Sequence, residues 1–128
     1  MPRRVLNIIE SAYRATIEEQ DDTIVWLSYM LRDAGAELSV LLRGNAVNYA
    51  VSGQDCSGLS FGGRRQTQPP RLDSDLVKLM EKGVPVLAVA EDLTERGIDS
   101  QDLVGGIKTI ARSGVAKLFD SYDLVWHW

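Results

Sequence analysis

Cysteine and histidine are almost missing from this chain: Cys56 and His127 are the only ones in 128 residues. A lone cysteine forms no internal disulfide, so the chain reads as one of a reducing, cytoplasmic compartment. One of each residue supports neither a zinc site nor a Cys–His catalytic pair, and no metal is expected. An excess of positive charge is also lacking. Fourteen Lys and Arg face 18 Asp and Glu for a net charge of -4, which argues against nucleic acid as the main partner, because phosphate binding wants a basic face. Long apolar runs are absent too. Val5-Leu6-Asn7-Ile8-Ile9 is interrupted by Asn7 and stopped by Glu10, far short of a signal or spanning segment, so neither export nor membrane insertion is expected. No glycine-rich turn follows Ile9, and Gly62-Gly63 lacks the lysine and hydroxyl of a phosphate-binding loop, so no nucleotide cofactor is expected.

What is present suits one α/β domain spanning 1–128. The length matches a single domain, and the 45% apolar and 25% charged fractions are ordinary globular values. Val5 to Ile9 has the pattern of a strand buried on both faces. A helix is expected to start before Asp21 and to carry Ile24, Leu27, Met30 and Leu31 at helical spacing, with Gly35 at its end. Leu38 to Leu42 reads as a second strand and Ala46 to Val51 as one or two helical turns. Ser52 to Leu72 is rich in glycine and proline and reads as a long functional or mobile loop. Asp73-Ser74-Asp75 opens a helix closed by Gly83, its acidic groups placed where the dipole favours them. Val84 to Ala90 is the most apolar strand, followed by a short helix over Leu93 to Gly97. Ile107 to Ile110, Val115 to Phe119 and Leu124 to Trp126 read as strand, helix and strand. This alternation predicts a three-layer α/β/α sandwich around a mostly parallel sheet of about five strands.

Parallel sheets bind ligands beyond the carboxyl ends of their strands. That rule gathers Glu10, Ser11, Arg43, Asn45, Glu91, Asp92, His127 and Trp128 on one edge. Glu91 and Asp92 have the chemistry of an acid–base pair, although capping of the next helix is the simpler reading. Gly62-Gly63-Arg64-Arg65 has the makings of an anion clamp, arginine being suited to planar bidentate contacts, or of a solvated loop or subunit contact. The candidate ligand-binding set is Arg43, Asn45, Asn48, Arg64, Arg65, Glu91 and Asp92. Cys56, near three arginines in sequence but beside Asp55, is the candidate nucleophile. It is expected to be accessible yet unactivated, because exposure screens the arginines and Asp55 opposes ionisation. Trp126-His127-Trp128 either stacks on a ligand or packs against a second subunit.

Several segments together resemble the DsrE-like sulfur-relay family, including its TusD-type subunits. They are Ala12-Tyr13, Ala34 to Leu38, Arg43-Gly44-Asn45-Ala46-Val47-Asn48, Val86 to Val89, Leu93-Thr94-Glu95-Arg96-Gly97-Ile98, and Tyr122 to Val125. The resemblance covers nearly the whole chain. It implies a small cytoplasmic α/β protein that handles persulfide sulfur and assembles as a dimer, trimer or hexamer, here most simply a homotrimer or homohexamer. Catalytic members carry the persulfide on a cysteine seven residues before the arginine of the Arg-Gly pair. Counting back from Arg96 gives Val89, which has no sulfur to offer. Three readings follow: a non-catalytic structural or binding partner of other sulfur-relay proteins, a carrier that uses Cys56 instead, and a module for a small anionic ligand.

Overall fold

The computed structural model describes residues 3–13, 22–55 and 57–128. Five strands form one sheet in the order β6-β5-β2-β1-β7, and every pairing in it is parallel. They are β1 (Arg4–Ile9), β2 (Glu37–Leu42), β5 (Val86–Val89), β6 (Lys108–Ile110) and β7 (Leu124–His127). The helices are α1 (Thr23–Asp33), α2 (Leu72–Glu81), α3 (Ala90–Glu95) and α4 (Val115–Phe119), with a 3-10 segment over Gly44–Ala50.

Side chains on a strand alternate between faces, and the core divides accordingly. Val5, Ile9, Val40, Leu42, Val86 and Ala88 pack with Ile24 and Val25 of α1 and Leu72, Leu76 and Leu79 of α2. Leu6, Ile8, Leu41 and Val89 face the other way, onto Val115, Leu118 and Phe119 of α4. The expected three-layer sandwich is therefore present. The central strands are apolar because both faces are covered. Ser39 and Asn7 are buried polar exceptions; the Asn7 amide donates to Ser28 Oγ at 3.0 Å and accepts from Trp128 Nε1 at 3.4 Å, tying β1 to α1 and to the last residue.

The chain steps from β1 outward through β2, β5 and β6, with α1 and α2 on one face. It then crosses over α4 to place β7 on the far side of β1. The direction of winding reverses between β1 and β7, and such a reversal opens a crevice at the carboxyl ends of the two strands.

Several boundaries differ from expectation, among them β5, which starts at Val86 rather than Val84, and α3, which spans Ala90–Glu95 rather than Leu93 to Gly97. Helix α1 starts at Thr23 rather than before Asp21, because Asp22 caps it: Oδ1 accepts the Ile24 and Val25 N–H groups at 2.9 and 3.1 Å. Strand β5 ends at Val89, and Ala90 is already the first residue of α3. The 52–72 stretch is not wholly irregular. Ser60–Phe61 (β3) and Arg64–Arg65 (β4) form an antiparallel hairpin, and Leu72 belongs to α2. Gly62 and Gly63 both hold positive φ, +55° and +81°, the backbone that a two-residue hairpin turn demands and that glycine adopts without steric cost.

Candidate functional site

The expected edge residues do converge at the carboxyl ends of the strands, in two clusters of different character. The first closes the end of β5. Asp92, 8% exposed, accepts the Gly44 N–H on Oδ2 at 2.8 Å and Arg112 Nη2 on Oδ1 at 2.6 Å. Burial alone would raise the Asp92 carboxyl, but the Gly44 N–H and the guanidinium groups of Arg112 and Arg96 outweigh it, and its pKa lies below the ordinary carboxylate value. Arg112 also reaches Glu95 Oε1 at 3.0 Å, and its backbone N–H donates to both oxygens of Glu91, at 2.9 and 3.0 Å. The carboxylates beside it hold the Arg112 guanidinium in its charged form. Arg96 donates through Nε and Nη2 to Asn45 Oδ1 and through Nη1 to the Asp92 carbonyl, while Asn48 Nδ2 donates to the Asn45 carbonyl at 2.8 Å. Glu91 and Asp92 thus do not cap α3 with their side chains. They join it to the segments after β2 and β6. Val89, 1% exposed, lies directly before this network on the α4 face of the sheet.

The second cluster lies at the reversal point. Glu10 follows β1, Arg43 follows β2, and His127 ends β7. His127 Nε2 lies 2.7 Å from Glu10 Oε2, and Arg43 Nε lies 3.6 Å from Glu10 Oε1. The backbone holds Glu10 in place. Its N–H and that of Ser11 donate to the Trp128 carbonyl, and its own carbonyl accepts from Ala46. Gly44, at φ +56°, presses against it, so that a Cβ there would stand 3.1 Å from Glu10 Cγ. These three side chains are open to solvent, with 35% to 53% of each exposed.

Arg64 and Arg65 stand apart. They are exposed on the β3–β4 hairpin, and no hydrogen bond or ion pair among the described residues joins them to either cluster. Cys56 lies outside the described residues. Sequence reasoning missed Arg112, which reaches Asp92 across 20 positions, and Arg96 as the partner of Asn45. It also missed Tyr49, whose buried hydroxyl donates to Asp22 Oδ2 at 2.6 Å and accepts the Tyr13 N–H. Burial and the adjacent Asp22 carboxylate push this hydroxyl far above the ordinary phenol value. Tyr13 itself has φ +58° and donates through its hydroxyl to Gln54 Oε1 at 2.7 Å, so one strained residue ties the loop after β1 to the turn before the hairpin. Its only sequence signal was the Ala12-Tyr13 dipeptide.

Among the described residues, no cluster of three or more His, Cys, Asp or Glu is arranged to hold a metal, and no helix is long and apolar enough to cross a membrane.

The all-parallel five-stranded sheet covered on both faces, with polar residues gathered at its carboxyl edge, is an α/β fold, and its structural neighbours have the DsrE-like fold. The sequence matches no protein-family model and no curated protein. Solved structures carry the likeness. The ychN protein from E. coli superimposes with a TM-score of 0.74 at 20% identity, over 100% of both chains. A protein of unknown function from Methanobacterium thermoautotrophicum gives 0.62 at 16% identity, over 97% of this chain and 98% of that one. A conserved protein of unknown function from Bacteroides thetaiotaomicron gives 0.68 at 9% identity, over 97% and 94%. At such identities what is shared is the fold.

Proposed function

We propose that this protein is a non-catalytic, homo-oligomeric member of the DsrE-like group, acting in the cytoplasm as a structural or binding partner in sulfur trafficking. One observation carries the reading. The position to which the resemblance assigns the persulfide cysteine holds Val89, which is buried and followed at once by the Asp92–Arg112 network. A sulfur carrier needs a nucleophilic thiolate there that a partner can reach. Here the position has no sulfur, and the charged groups beside it are engaged with one another.

Assembly is supported by the free edge of β7. Val125, Trp126 and Trp128 are 39%, 36% and 37% exposed, and with Leu27 and Leu31 of α1 they line an open groove of about 550 Å³. Exposed rings beside an unpaired strand edge are what a subunit contact covers. The reading predicts a trimer or hexamer in light scattering, dispersed by Trp126→Glu. A monomer at high micromolar concentration would contradict it.

A further inference from the structure

We propose that Arg43 and His127, bridged by Glu10 at the reversal point between β1 and β7, form a binding site for a small oxyanion. The proposal stands whether or not the protein has a place in sulfur trafficking. Topology is its first support. The crevice at such a reversal is where parallel α/β sheets take ligands, and here it is the point at which the three side chains meet.

The state of the donors is the second support. Arg96 and Arg112 are both committed to acceptors at hydrogen-bond distance. Arg43 is not. Among the described residues its ion-pair partner is Glu10 at 3.6 Å, a charge contact too long for a good hydrogen bond. Among the described residues its planar fork of donors therefore has no hydrogen-bond acceptor, in a side chain that is 35% exposed, and such a fork matches carboxylate, sulfate or phosphate oxygens. His127 flanks the other oxygen of the same carboxylate. Arg43 and His127 thus stand one carboxylate apart, on strand ends fixed by the sheet. Glu10 orients both and shields them from each other.

Charge determines what binds. Arg43 and Glu10 carry opposite charges that cancel. An arriving oxyanion takes the fork of Arg43 and leaves Glu10 to its contact with His127. Glu10 is then both an organiser and a competitor for Arg43. This gives the site an unusual signature: removing its acidic member tightens binding, whereas removing its arginine weakens it. The contrast with Asp92 clarifies the point. There a side-chain carboxylate sits fully engaged on a guanidinium and a backbone N–H, as a bound anion would. At Arg43 no side chain fills that role.

The test follows the Arg43 Nε and His127 ring signals by NMR during separate titrations with sodium sulfate and sodium acetate. Ionic strength is held constant with sodium chloride, and the intact chain is used throughout. Saturable shifts confined to these groups are expected, with sulfate, acetate or both identifying a tetrahedral or a planar anion. Arg43→Gln should weaken binding about tenfold or more, as loss of a charged hydrogen-bonding group does. Glu10→Gln should tighten it, and the dispersion of the amide spectrum confirms that each variant is folded. The proposal is overturned if the shifts rise linearly, if chloride alone reproduces them, if they persist in Arg43→Gln, or if Glu10→Gln weakens binding as Arg43→Gln does.

Discussion

Two charged clusters share the carboxyl edge of one sheet, yet they are built on opposite terms. At the end of β5, Asp92 is buried and each of its oxygens meets a donor within 2.8 Å, while Arg112 is held by Asp92 and Glu95. At the junction of β1 and β7, Glu10 and Arg43 are half-buried and His127 is exposed, and the arginine touches its carboxylate only at 3.6 Å. The two central carboxylates differ in burial, although Arg112 and Glu95, with 49% and 57% of their side chains exposed, are as open as Arg43 and Glu10. An unpaired charge on the nearly buried Asp92 would be expensive, and both of its oxygens are satisfied. In water the second cluster can leave donors unengaged at little cost. The closed cluster holds three segments together, and the open one is where we propose that a ligand binds, which is the reverse of where the family resemblance would put the chemistry.

The largest effect should come from breaking the closed cluster. Asp92→Ala leaves the Gly44 N–H and the Arg112 guanidinium without their acceptor, and should cost about 2–3 kcal/mol in urea unfolding. Acid should act in the same direction. Because the Asp92 pKa is lowered in the folded state, its contribution is present in full above the ordinary carboxylate value of about 4, and is lost as pH falls through the folded value. The acid-induced loss of stability should therefore be smaller in Asp92→Asn than in the parent.

A smaller change is expected beside it. Val89→Cys alters little volume and should cost about 1 kcal/mol or less. The new thiol, buried on the α4 face, should react with iodoacetamide more slowly than free cysteine. A fast reaction would mean that the place still activates a thiol, and would erase the difference between the two regions. The smallest effect belongs to the open cluster, where Arg43→Gln should change stability by no more than about 0.5 kcal/mol. A loss as large as that of Asp92→Ala would show that the second cluster is structural as well.

The layers were legible in the sequence for a definite reason. Strands such as Val5 to Ile9 and Val86 to Val89 are covered on both faces, so their apolar runs are continuous and the alternation with helices is plain. The edge followed from topology: Glu10, Arg43, Asn45, Asp92 and His127 do lie at strand ends. Their partners were not legible, because Arg112 and Arg96 reach them from 20 and 51 positions away, and local spacing holds no trace of such contacts. The hairpin was missed although its signal was there. Gly62-Gly63 between Ser60-Phe61 and Arg64-Arg65 is a turn pair, and it was overlooked because each strand is only two residues long. The start of α1 is set by Asp22, whose side chain caps it, a role that helical spacing alone did not single out.

The central claim is that the protein carries no sulfur of its own. The direct measurement is intact-mass spectrometry of the parent protein after incubation with a polysulfide donor and trapping by alkylation. The account predicts an unmodified polypeptide apart from simple alkylation of Cys56, and no added sulfur after the donor is removed. A stoichiometric persulfide on Cys56 that transfers to an acceptor thiol would contradict it and make this chain a carrier.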